Sequence, residues 1–131
     1  MNTRVAEYLM IEDNSSDVDI FYLDFEEYGI TNKFHIERNG ADALDYLFAK
    51  DGSLRAERPK AIFLDLYMQK INGLEFLRII KSNEQTKNIP IVVLESSISP
   101  TDINKCLQLG VNNFIEKPLE YKKFISTTES F

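Results

Sequence analysis

Five short apolar runs alternate with five amphipathic stretches along this chain, strand before helix each time, and few folds accept that order. The runs are Tyr8–Ile11, Lys33–Glu37, Ala61–Leu64, Ile91–Leu94 and Asn112–Ile115. Those beginning at Tyr8, Ala61 and Ile91 are apolar throughout, as strands covered on both faces must be. The second alternates, with Phe34 and Ile36 set against Lys33, His35 and Glu37. That pattern predicts an edge strand with one open face, leaving His35 turned to solvent, and places the fifth run at the opposite edge. Strict alternation with short connections means a parallel sheet with helices on both faces. Right-handed crossovers then favour an open, doubly wound α/β sheet of five strands and five helices. A length of 131 residues fits one domain over 1–131.

The stretches between the runs carry helical periodicity. Val18, Phe21, Tyr22 and Phe25 fall at i, i+3, i+4 and i+7, and Phe76, Leu77 and Ile80 repeat the pattern after Gly73. Ile103, Cys106 and Leu107 do so before Gly110, and Tyr121, Phe124 and Ile125 give a last short helix. Asn14–Ser15–Ser16 can cap the first helix, and Ser99-Pro100 puts proline at a first helical position. Gly29 and Gly110 stand where helices should stop. Lys50–Lys60 reads as a connection. The single cysteine, Cys106, excludes an internal disulfide and reads as a small hydrophobe on a helix.

In open parallel sheets the ligand site lies at the carboxyl ends of the strands. Glu12 and Asp13 follow the first run directly, and Asp65 follows the third. Three carboxylates at one sheet edge repel one another, and a hard cation with oxygen ligands resolves this; magnesium, which favours a few carboxylates and phosphate oxygens, fits. After the fifth run comes Lys117, then Pro118, an ammonium at the same edge able to hold an anion. Cation, nucleophilic carboxylate and positive clamp together make a phosphate site. Each alone reads as an ordinary turn or helix-start residue; the conjunction carries the argument. A net charge of −6 argues against nucleic acid as partner. No apolar run reaches membrane-spanning length, and Met1–Ala6 lacks the layout of a signal peptide, so the cytoplasm is the expected location.

The stretches Tyr8-Leu-Met-Ile-Glu-Asp-Asn14, Phe63-Leu-Asp-Leu-Tyr-Met-Gln-Lys-Ile-Asn-Gly73 and Gly110-Val-Asn-Asn-Phe-Ile-Glu-Lys-Pro118 resemble the receiver domains of two-component response regulators, over nearly the whole chain. The resemblance implies a flavodoxin-like receiver fold with strand order 2-1-3-4-5. It implies Asp65 as phosphoacceptor for a sensor histidine kinase or phosphotransfer protein. Mg2+ would be held by Glu12, Asp13, Asp65 and the backbone carbonyl of Tyr67. Lys117 would contact the phosphoryl group, through a cis bond to Pro118, and Phe114 matches an aromatic whose ring moves on activation. The activity is then autocatalytic phosphoacceptance rather than enzymatic turnover, read out by a downstream output protein. The long connection and single domain look most like stand-alone regulators paired with bacterial phytochromes. The family commonly presents the fourth helix to the fifth, about Thr101–Phe131, to partners or to a second copy as a homodimer. Phe114, Tyr121 and Phe124 are the expected apolar contacts there.

Two departures stand out. Gln69 replaces the usual proline after the methionine. At the switch position after the fourth run, where the family carries Ser or Thr, this chain has Glu95. Ser96 can substitute only across a bulge, since a one-residue slip turns a strand side chain to the other face. Glu95 is expected to pair with Lys117 in the unmodified protein. An alternative reading follows: a pseudo-receiver, a phosphorylation-independent interaction module in which Glu95 mimics or blocks the modified state. A phosphatase with an aspartyl phosphate intermediate would want a second carboxylate two residues past Asp65, where Tyr67 stands instead. Tyr67 overhangs the site and either slows water attack or packs the loop. A flavodoxin or dinucleotide module would need a hydroxyl- or glycine-rich first loop, against the acidic Glu12-Asp13-Asn14.

Overall fold

The apolar runs do become the strands of one parallel sheet. In the computed structural model, residues 7–29, 33–55, 57–68, 72–111 and 113–129 are described. The strands are β1 (Tyr8–Ile11), β2 (Phe34–Glu37), β3 (Ala61–Asp65), β4 (Ile91–Glu95) and β5 (Asn113–Glu116). The helices are α1 (Ser15–Glu27), α2 (Gly40–Leu47), α3 (Gly73–Ser82), α4 (Pro100–Gln108) and α5 (Tyr121–Thr128). Strand order is β2-β1-β3-β4-β5, with every pair parallel. Both edge assignments hold.

Side chains alternate across the sheet, and the two faces fill differently. Leu9, Ile11, Ile62, Leu64, Ile91 and Val93 pack with α2, α3 and α4 through Leu47, Phe76, Leu77, Ile80 and Cys106, a largely aliphatic layer. Tyr8, Met10, Phe63, Val92, Leu94 and Ile115 pack with α1 and α5. That second layer is aromatic: Phe124 stands edge-on to Tyr8 at 4.9 Å between ring centres, and Phe21, Phe25 and Phe34 lie within 5.5 Å of one another. Such pairs add roughly 1 kcal/mol each beyond buried area.

Local signals set the helix ends. The side chains of Asn14, Asn39, Asn72 and Ser99 each accept a backbone N–H from the first turn of the helix that follows. Gly110 adopts φ +88° past α4, where a side chain would be strained. There Gly110 N–H donates to Leu107 O and Val111 N–H to Cys106 O, the paired closure of a Schellman end.

Some expectations need correction. β2 starts one residue later than expected, at Phe34, although the Lys33 carbonyl already accepts the N–H groups of Glu7 and Tyr8 from the neighbouring segment. β3 and β4 each run one residue further, to Asp65 and Glu95. Asn112 lies outside the described residues. His35 is only partly turned to solvent: its side chain keeps 36% exposure, while its ring stacks on Tyr46 of α2 at 3.7 Å and its Nε2 meets Glu37 Oε2 at 2.5 Å. The helix after an edge strand covers the face that alternation left open. Tyr22 and Leu107, counted on apolar faces, are about half exposed, since each helix buries a stripe narrower than its apolar periodicity. Among the described residues no helix is long and apolar enough to cross a membrane.

Candidate functional site

The pleat decides which side chains meet at the carboxyl edge. Tyr8 and Met10, Ala61 and Phe63, and Ile115 all point to the aromatic layer. Two residues further along each segment stand Glu12, Asp65 and Lys117, which alternation carries to that same side. Glu12 and Asp65 are buried, at 2% and 3% exposure, while Asp13 is open to solvent. One carboxylate oxygen from each of the three lies within 4.8 Å of the others.

Lys117 sits among these charges with its side chain 11% exposed. Its Nζ donates to Glu12 Oε2 at 3.1 Å and to Asp65 Oδ2 at 3.2 Å, and it pairs with Asp17 Oδ2 at 3.3 Å. Pro118 follows through a cis peptide bond. The other Asp65 oxygen, Oδ1, accepts the Tyr67 N–H at 3.1 Å. Burial pushes the Glu12 carboxyl up to about 8, with Asp65 adding to the rise and Lys117 lowering it in part. Burial also lowers Lys117, but hydrogen bonds and charge from Glu12 and Asp65 outweigh that and hold the ammonium above its ordinary value. The ammonium therefore stays charged, while the crowding of Glu12 against Asp65 that raises the Glu12 carboxyl is what a cation would relieve. Three oxygen donors converging within 4.8 Å fit a hard divalent cation.

The loop after β3 is pressed into place by α3. Gly73 N–H donates to Leu66 O at 2.9 Å, and a Cβ on Gly73 would lie 2.4 Å from Leu66 Cα and 2.7 Å from Asp65 O. Only glycine lets the helix start this close beneath the Asp65 carbonyl. Tyr67 projects outward, half exposed, and its hydroxyl donates to Asp102 Oδ2 at 2.6 Å in the first turn of α4. It therefore spans to α4 rather than simply overhanging Asp65. Beside it an open cleft of about 450 Å3 runs between Asp13, Asn72 and Asp102.

Glu95 does not join the cluster. Ile91 and Val93 face the aliphatic layer, so alternation places Glu95 on that face, opposite Asp65. The expected Glu95–Lys117 pair is absent among the described residues; Glu12, Asp17 and Asp65 occupy the ammonium instead. No bulge intervenes, since Glu95 is in register with Glu116 and its carbonyl accepts the Lys117 N–H at 2.6 Å. Ser96 is exposed just past the strand, and Phe114, half-buried, packs against the aliphatic layer opposite Val93. Gln69 lies outside the described residues. Of the expected partner contacts, Phe124 is 2% exposed and belongs to the core, and Tyr121 is half-buried against Phe25 and Tyr28. Asp17 and Asp102 were missed by sequence reasoning. Their common signal is an acid in the first turn of a helix, which is ordinary capping chemistry and so marks nothing by itself.

A family model described as the response regulator receiver domain matches residues 9–129. The response regulator Rcp1 of Synechocystis sp. is 32% identical over 126 residues, covering 94% of this chain and 86% of that protein. Its Mn(2+)-bound crystal structure superposes with a TM-score of 0.75 at 30% identity, over 98% of this chain and 93% of Rcp1. The bacteriophytochrome response regulator RtBRR matches at 37% identity and TM-score 0.77, over 95% of this chain and 76% of that one. The phosphorylated cyanobacterial phytochrome response regulator RcpA matches at 30% identity and TM-score 0.74, over 95% and 89%. The likeness to phytochrome-type regulators expected from the sequence therefore holds.

Proposed function

The chain belongs to the response regulator receiver family of two-component signalling, and on that footing we propose that it takes a phosphoryl group on Asp65 and signals through a partner protein. The observation that carries the reading is the single pocket holding Asp65, Lys117 and the Glu12–Asp13 pair. The donor is a sensor histidine kinase or phosphotransfer protein, and a downstream output protein reads the result. The Asp65 carboxylate attacks phosphorus as the bond to the donor nitrogen breaks. The electron pair leaves on the donor imidazole, which takes up a proton from solvent, and Asp65 becomes an acyl phosphate. Tyr67 N–H and Lys117 Nζ fix the two carboxylate oxygens before attack. Lys117 then faces the oxygens of the arriving phosphoryl group.

Glu12, Asp13, Asp65 and the Tyr67 carbonyl are the groups that would hold Mg2+. The Mn(2+)-bound form of the similar Rcp1 supports a divalent cation. When bound, the cation supplies charge neutralisation for the incoming phosphoryl oxygens. Mass spectrometry after incubation with acetyl phosphate and magnesium tests the proposal: one added phosphoryl group, mapped to Asp65, is expected. An unchanged mass would sink it.

Glu95 stands on the far face of the sheet in the unmodified protein, and nothing observed favours its acting as a block. Glu95→Thr should therefore leave the phosphorylated fraction within about twofold of wild type. A blocking carboxylate would instead make the fraction rise steeply in that variant.

A further inference from the structure

We propose that Asp17 is a positioning residue for Lys117, holding the ammonium beside Asp65 through the transfer. The inference rests on the phosphoacceptor reading above and deepens it. Lys117 Nζ donates hydrogen bonds to Glu12 at 3.1 Å and Asp65 at 3.2 Å, and Asp17 forms an ion pair with it as a third carboxylate at 3.3 Å. With the lysine side chain 11% exposed, little water can replace a lost partner.

The three carboxylates differ in what the reaction does to them. Asp65 is consumed: one of its oxygens becomes the bridging oxygen of the acyl phosphate, and the charge moves outward onto the phosphoryl group. Glu12 belongs with Asp13 and Asp65 to the trio of converging oxygens that a cation would draw on. Asp17 stands outside that trio, and no step alters it. Its place is also set independently of the pocket, because its N–H donates to Asn14 Oδ1 at 3.0 Å in the cap of α1. At 21% side-chain exposure it is no loose surface ion pair. Asp17 thus keeps Lys117 within reach when the other two carboxylates turn to other tasks.

Asp17→Asn keeps the shape and an acceptor oxygen but removes the charge. Its rate of phosphorylation by acetyl phosphate with magnesium should fall about tenfold. In a Lys117→Gln background the same substitution should change the rate by less than about twofold, because Asp17 acts through the lysine. A second readout needs no phosphodonor: nitrogen-15 spectra should show Lys117 Nζ protons protected from exchange in wild type with magnesium, and unprotected in Asp17→Asn. An equal or faster rate in Asp17→Asn, an undiminished effect in the Lys117→Gln background, or unchanged protection would each overturn the inference while leaving Asp65 as acceptor. A wild type that takes no phosphoryl group would overturn the underlying reading and this inference with it.

Discussion

Asp65→Asn is expected to abolish phosphorylation, with no added mass under conditions where wild type gains one phosphoryl group. The amide has no anionic oxygen to attack phosphorus, so a loss of at least about a thousandfold is expected. The fold should not suffer. The Tyr67 N–H that meets Asp65 Oδ1 at 3.1 Å can donate equally to an amide oxygen. Lys117 keeps Glu12 and Asp17 as partners. Removing one buried charge also relieves the pocket, since Asp65 is among the causes that push the Glu12 carboxyl up. Thermal unfolding should thus begin no lower than in wild type, while calorimetry should show weaker magnesium binding for want of one of three carboxylates. A phosphoryl group that still adds to Asp65→Asn would place the acceptor elsewhere.

Gly73→Ala should be among the most damaging single substitutions outside the acidic pocket. The new Cβ would meet the Leu66 backbone at 2.4 Å and the Asp65 carbonyl at 2.7 Å, both main-chain atoms that no rotamer change can move aside. Either α3 lifts from the sheet or the loop after β3 shifts. Lifting α3 would disturb Phe76, Leu77 and Ile80, all fully buried. Shifting the loop would pull the Tyr67 N–H from Asp65 and the Tyr67 hydroxyl from Asp102. Overpacking of this kind costs about 3 kcal/mol, readable as a lower urea midpoint at unchanged slope. Phosphorylation should slow as well, because the carboxylate loses a fixed orientation. A variant as stable as wild type would mean that the β3–α3 contact is looser than this geometry describes.

The periodicities of the chain carried the architecture. Continuous apolar runs at Tyr8, Ala61 and Ile91 identified the strands covered on both faces, and the alternating run at Phe34 identified an edge. Ser99-Pro100, Asn14, Gly29 and Gly110 marked helix ends because capping and positive φ are local requirements. Parallel sheets expose their ligand edge at the strands' carboxyl ends, so chain direction alone was enough to bring Glu12, Asp13, Asp65 and Lys117 to one place. Glu95 shows where such reading stops. Motif spacing put it next to Lys117, but the face a strand-end side chain takes depends on the register of the whole sheet, and β4 continues without a bulge to turn Glu95 away from Asp65.

Contacts between segments distant in the chain were likewise beyond the sequence. Asp17 and Lys117 are a hundred positions apart, and Tyr67 meets Asp102 across the loop and α4. Each acid looks like an ordinary first-turn residue, because its local role, easing the helix dipole, is the same whether or not a lysine or tyrosine arrives from elsewhere. His35 found Tyr46 and Phe124 found Tyr8 for the same reason: which rings stack is fixed by how helices seat on the sheet. The sequence by itself determined the five strands, their edges and the four charged residues at the carboxyl edge, since those follow from period, capping and chain direction. Only the tertiary structure decided which partners hold Lys117 and which face Glu95 takes, because both depend on packing among segments that no local pattern connects.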